Sequence, residues 1–129
     1  MVRFLLLFVL LLSFTFSWSQ VSDSLLQASK SRDPEVARPA LAQKYSIMVR
    51  MGELDEVMRE VNNNLETHYH KNNSCFKALF YNVLGTCFYY KGAYNECLPH
   101  FQKAITLWEV CGDQEEMARA MSNAASIYG

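Results

Sequence analysis

The chain has 129 residues, 50% of them hydrophobic, with 12 basic and 13 acidic side chains for a formal net charge of −1. It has no basic run or stripe, which excludes the electrostatic footprint of nucleic-acid binding, and its few glycines and prolines leave no low-complexity linker. The length allows a leader and one small domain; phosphate loops, paired catalytic carboxylates and zinc-ligand spacings are missing from the sequence, so neither a cofactor nor a metal is expected.

Residues 1–19 read as a secretory signal peptide. Arg3 supplies the positive start, Phe4 to Phe16 is apolar apart from Ser13 and Thr15, and Ser17-Trp18-Ser19 offers small residues to a signal peptidase. The cut is expected before Gln20, which places the mature chain in the periplasm or outside the cell. A membrane anchor is the competing reading, but an apolar run of about 15 residues falls short of the roughly 20 needed to span a bilayer. Membrane contact would then come only through this segment or through a part beyond Gly129. Export would put Cys75, Cys87, Cys97 and Cys111 where disulfides form.

Residues 20–32 are short and polar, with Leu25, Leu26 and Ala28 as apolar points, and are expected to form a half repeat that caps the first full helix pair. Asp33 then offers an N-cap and Pro34 suits the first helical position. This helix is expected to run to Met51, bent by Pro39, which removes one backbone hydrogen bond. After the turn at Gly52, the acidic Glu53, Asp55 and Glu56 open a second helix reaching about His70. His68 and His70 are two apart, so they do not share a helix face as a zinc pair would. They are expected on the surface, compensating the helix dipole. Lys71 to Asn73 is a loop.

The helix expected from Ser74 to Lys91 carries Tyr81, Leu84, Gly85 and Phe88 at helical spacing. Gly92 marks a turn. The next helix, Tyr94 to Cys111, carries Tyr94, Cys97, Phe101 and Ala104 on one stripe, with Pro99 near its first turn. A mid-helix glycine costs about 1 kcal/mol against alanine. Gly85 therefore implies a close crossing of these two helices, with the small Cys97 opposite. Cys87 and Cys97 are expected as two small buried residues; because they lie equally far from Gly92, the hairpin also admits a bridge between them as the alternative. After Gly112 and Asp113, the last helix carries Met117, Ala120, Met121, Ala124 and Tyr128, with Glu116 at a capping-box spacing.

The elements recur at a period of 40 residues. The caps Asp33, Asn73 and Asp113, the turn glycines Gly52 and Gly92, and the pairs Leu41/Tyr81, Met48/Phe88, Val61/Phe101 and Leu65/Ile105 all keep this register. The period divides the chain into three copies: 33–72, 73–112 and an incomplete 113–129. Each has a first helix (A) and, in the first two, a second (B). The middle copy, with Leu84-Gly85, Phe88, Cys97, Phe101 and Ala104 at fixed offsets, resembles a tetratricopeptide repeat of the long variety, and the leader ending in Ser-Gln resembles exported Bacteroidetes proteins of that kind.

The resemblance implies an all-α, right-handed solenoid of antiparallel helix pairs. It further implies a non-catalytic module that binds a protein or peptide on the concave side formed by the A helices. The positions off the packing stripe there are Gln43, Ser46, Arg50, Asn82, Thr86, Tyr89, Tyr90, Ser122, Asn123 and Ser126. The plain alternative for them is a solvated face. The basic clamp that some family members use for a C-terminal carboxylate is missing, since Ala42, Ser46 and Val83 stand at its positions. Within the same resemblance, the chain is similar to periplasmic sensory segments of membrane-bound regulators of the histidine-kinase or transcription-factor type. The competing class is a small enzyme using His100 and Cys97, three apart on one helix. The last helix lacks its B partner, so the chain is expected to be part of a larger protein, or to self-associate through the face of residues 114–129.

Overall fold

The structure is a computed structural model, and it describes residues 3–5 and 23–128. The expected signal peptide, apart from 3–5, and its expected cut before Gln20 lie outside the described residues. The rest is helical: α1 (23–29), α2 (Pro34–Arg50), α3 (Leu54–Thr67), α4 (Ser74–Tyr90), α5 (Tyr94–Cys111) and α6 (Gln114–Tyr128). Each helix from α2 onward packs on the next, and α2 also touches α4, giving an all-α, solenoid-like succession of hairpins. Among the described residues, no helix is long and apolar enough to cross a membrane.

The 40-residue register is visible in the backbone as well as in the letters. The side chain of Asp33 accepts from the N–H of Glu35, that of Asn73 from Cys75 and Phe76, and that of Asp113 from Glu116. Each satisfies a backbone donor that the first helical turn leaves free. The turns repeat too. Gly52 bonds to Val49 O and Glu53 to Met48 O; Gly92 bonds to Tyr89 O and Ala93 to Phe88 O. Gly112 and Asp113 do the same with Glu109 O and Trp108 O. All three are Schellman closures, which need a left-handed residue after the helix, and the glycines have φ of +80°, +74° and +82°.

Two local expectations fail. Glu116 does not return to its cap but pairs with Arg119, while the Asp113 N–H is taken by Trp108 O. Pro99 lies well inside α5 rather than near its first turn.

The core lies between α2, α3, α4 and the C-terminal half of α5, with Leu41, Tyr45, Val57, Val61, Phe76, Phe80, Leu84, Cys87 and Trp108 in one cluster. A second cluster, Cys97, Phe101 and Ala124 with Phe88 beside them, joins α4 and α5 to α6. Gly85 marks the close crossing of α4 and α5, but its neighbour is Phe101 and not Cys97. A Cβ added there would lie 2.7 Å from Phe101 Cδ1. The first copy inverts the arrangement: Tyr45 stands at the glycine position and Val61 at that of Phe101, and both are buried. The bulk has moved from one helix to the other. Tyr45 keeps its hydroxyl satisfied by accepting from Asn64 Nδ2 at 2.6 Å, and burial pushes its phenol pKa up. Lys44, in place of the buried Leu84, reaches Glu60 at 2.7 Å. Tyr94, expected in the packing stripe, is 51% exposed and meets Tyr89 edge-on.

Cys87 and Cys97 are the small buried residues expected, free and in different clusters on different sides of the hairpin, so the bridge that the hairpin would admit between them is not formed. The bridge instead joins Cys75, at the start of α4, to Cys111, at the end of α5. It closes the hairpin at the end opposite the Gly92 turn. Arg38 acts near the same end. Its guanidinium is 3.1 Å from the carboxylate of Asp113 and lies over the Trp108 ring, so copy one holds the cap of copy three.

Helix α3 stops at Thr67, not His70, and the two histidines are not a dipole-compensating surface pair. His68 is half-buried in an extended conformation. Its Nδ1 accepts from the His70 N–H at 3.1 Å, so Nε2 carries the proton and donates to Ser29 O at 3.3 Å. His70 Nε2 lies 3.2 Å from Ser31 O, and both rings stack on Phe76. Together they tie α1 to the body.

This arrangement requires neutral His68, and burial lowers its pKa from 6.5, helped by the nearby His70. With the folded value depressed, the unfolded chain takes up the proton first as pH falls below 6.5. The stability due to His68 is therefore complete above that pH and is lost below it. The protection factors of amides 25–30, exchange rates divided out by the intrinsic rate at each pH, are expected to fall on acidification through this range, and His68→Gln is expected to remove that dependence. Protection factors that stay flat with pH in the parent chain would refute the tautomer assignment.

Candidate functional site: the face of the A helices

Helix α4 buries Phe76, Leu79, Phe80, Val83, Leu84 and Cys87, so most of its circumference is committed to packing. What remains toward α2 and α6 is one stripe: half-exposed Asn82 and Thr86, then exposed Tyr89 and Tyr90. The same offsets in the other copies are Ala42, Ser46 and Arg50 on α2, and Ser122 and Ser126 on α6. The stripe therefore repeats every 40 residues, as the packing residues do.

Two depressions lie on this face. One, of about 400 Å³, is lined by residues of α2 (Ala42, Tyr45, Ser46, Val49, Arg50), of α4 (Leu79, Asn82, Val83, Thr86, Tyr90) and of α6 (Glu116, Arg119). The other, of about 270 Å³, is lined by Thr86, Tyr89, Tyr90, Phe101, Asn123 and Ser126. Thr86 and Tyr90 form the wall they share. Of the residues expected on this face, Ser46, Arg50, Asn82, Thr86, Tyr89, Tyr90, Asn123 and Ser126 are thus brought together. Gln43 and Ser122 are exposed but line neither depression. Sequence reasoning missed Glu116 and Arg119. Arg119 stands 40 residues after Leu79, an apolar and buried position, so the period did not mark it for this face.

The polar groups here have few tertiary partners. Thr86 Oγ1 donates to Asn82 O at 2.9 Å, Ser126 Oγ to Asn123 O at 2.6 Å and Arg50 Nε to Ser46 O at 3.3 Å, each falling back on its own helix. Asn82 Oδ1 is shielded from water and accepts no hydrogen bond. Arg119 is held by Glu115 and Glu116, whereas Arg50 makes no ion pair among the described residues. Tyr89 and Tyr90 meet edge to face with centroids 5.6 Å apart, making an aromatic corner.

His100 and Cys97 lie elsewhere. Cys97 is fully buried and burial raises its thiol pKa. His100 donates from Nδ1 to Glu96 O at 2.7 Å and lies against Phe88. Cys87 is likewise buried, its thiol pushed up to about 11 by desolvation. Among the described residues, no group of three His, Cys, Asp or Glu side chains is placed to share a metal ion. On α6, Ala120 and Ala124 are buried, while Met121 and Tyr128 are 52% and 75% exposed.

No family model matches the chain, and neither a curated protein nor a solved structure aligns with it significantly.

Proposed function

We propose that the chain is an exported, non-catalytic module of the tetratricopeptide-repeat kind that binds an extended segment of a protein or peptide along its A helices. The observation that carries this reading is the larger depression, to which α2, α4 and α6 contribute side chains and whose α2 and α4 stripes keep the repeat offsets. Its lining supplies hydroxyls, an amide, phenol rings and a guanidinium, which suit a chain rich in backbone donors and acceptors. The Cys75–Cys111 bridge supports export, since such bonds persist in oxidising compartments.

The test is selection of a random linear-peptide library displayed on phage against the full chain. Thr86→Arg places a long cation in the wall common to both depressions. It should leave thermal stability within about 0.5 kcal/mol, as surface substitutions usually do, while lowering the affinity of selected peptides at least about tenfold, or 1.4 kcal/mol. Selected peptides that bind this variant unchanged would move the binding site off this face.

A further inference from the structure

The depression has a chemical polarity that narrows what it takes. Its charged lining is Arg50, Arg119 and Glu116. Arg119 is neutralised locally by Glu115 and Glu116. Arg50 is exposed, and its only hydrogen bond among the described residues goes to the carbonyl of Ser46. One guanidinium is therefore open to a carboxylate, which it can grip with two parallel N–H donors. About two turns before Tyr90 on α4, in the same lining, lies Asn82. Its Oδ1 is shielded from water and so from an occupant, but its Nδ2 makes no hydrogen bond among the described residues and can donate to a backbone carbonyl laid along the groove. Level with Arg50 in the 40-residue register, the edge-to-face pair of Tyr89 and Tyr90 offers two ring faces at an angle. Such a corner receives a compact ring or branched aliphatic side chain better than a flat one.

From these three features, and resting on the peptide-binding reading above, we infer that the preferred occupant is an extended segment with an internal acidic side chain and a proline or aliphatic residue close by. The carboxylate pairs with Arg50. A backbone carbonyl accepts from Asn82 Nδ2. The apolar residue seats against Tyr89 and Tyr90. The carboxylate belongs to a side chain, so blocking the peptide C-terminus as an amide leaves binding unchanged.

The phage library selected on the full chain supplies the test. Selected peptides are expected to be enriched in Asp and Glu over Lys and Arg, and synthetic amidated copies should bind as well as free acids. Arg50→Glu should weaken them at least tenfold and, on reselection, turn the enrichment to Lys and Arg. Asn82→Leu, which removes the amide donor while keeping the volume, should weaken every selected peptide whatever its charge. Peptides that bind through Thr86, yet show no acidic enrichment and are indifferent to Arg50→Glu, would overturn this inference and leave the binding function standing. Acidic peptides that lose binding on amidation would also overturn it, by making the terminal carboxylate the anchor. A library yielding no peptide sensitive to Thr86→Arg would end both readings.

Discussion

Reducing the Cys75–Cys111 bridge is expected to cost about 4 kcal/mol of stability. The cysteines are 36 residues apart, and the loop-entropy relation gives roughly that figure for a loop of this length. In a domain whose total stability is typically about 5–15 kcal/mol, the loss should lower Tm by about 15 °C. It should not be spread evenly. Cys111 lies just before the Gly112 closure and the Asp113 cap, and Arg38 reaches Asp113 and Trp108 at the same end. Releasing the bridge should therefore loosen the end of α5 and the start of α6 first, while the Gly92 end of the hairpin holds. The measurement is a thermal melt of the parent chain with and without reductant, beside a variant with both Cys75→Ala and Cys111→Ala. Alkylation followed by mass spectrometry adds the site: in the native oxidised chain the buried Cys87 and Cys97 should react slowly, and reduction should expose Cys75 and Cys111 to rapid labelling. Melts that coincide with and without reductant would refute this role for the bridge.

The parts of this fold that the sequence announces are those decided within a few residues. Asp33, Asn73 and Asp113 act through their own side chains on the next turn, and Gly52 and Gly92 are read by backbone conformation alone; they set the starts of α2, α4 and α6 and the ends of α2 and α4. What the sequence left open, which cysteines pair, depends on direction across the hairpin. Antiparallel helices bring together residues at similar distances from the turn, and both Cys87/Cys97 and Cys75/Cys111 meet that condition about Gly92. Only the facing separates them: Cys87 points into the core shared with α2 and α3, Cys97 into the cluster shared with α6. The end of α3 was missed for a related reason. His68 and His70 leave the helix because Phe76 and the carbonyls of Ser29 and Ser31 hold them, and those partners come from both neighbouring copies. On the A-helix face, the stripe Asn82, Thr86 and Tyr90 was legible from spacing. Arg119 was not, because the equivalent Leu79 in copy two is buried.

Gly85→Ala is expected to destabilise the chain, although alanine is the better helix former. The new Cβ would sit 2.7 and 2.8 Å from Cδ1 and Cε1 of Phe101, well inside contact distance. The ring is 2% exposed and packs with Cys97 and Ala124, so it has little room to turn away. Overpacking of this kind costs about 1–3 kcal/mol, against a propensity gain of about 1 kcal/mol, so the balance is a net loss. Gly85→Leu carries the same clash with three further carbons and should be the worse of the two, whereas Thr86→Leu, one residue along and turned to the groove, should change stability by less than about 0.5 kcal/mol. Copy one indicates the remedy. There Tyr45 and Val61 occupy the two positions, with the large residue on helix A and the small one on helix B. Phe101→Val alone leaves a cavity and should be destabilising, but in the Gly85→Ala background it removes the clash. The double variant should therefore lose less than the sum of the singles, with a coupling of about 0.5–3 kcal/mol in a double-mutant cycle of urea melts. Additive losses would mean that the α4–α5 crossing relaxes by moving backbone, and that Gly85 and Phe101 are not a matched pair.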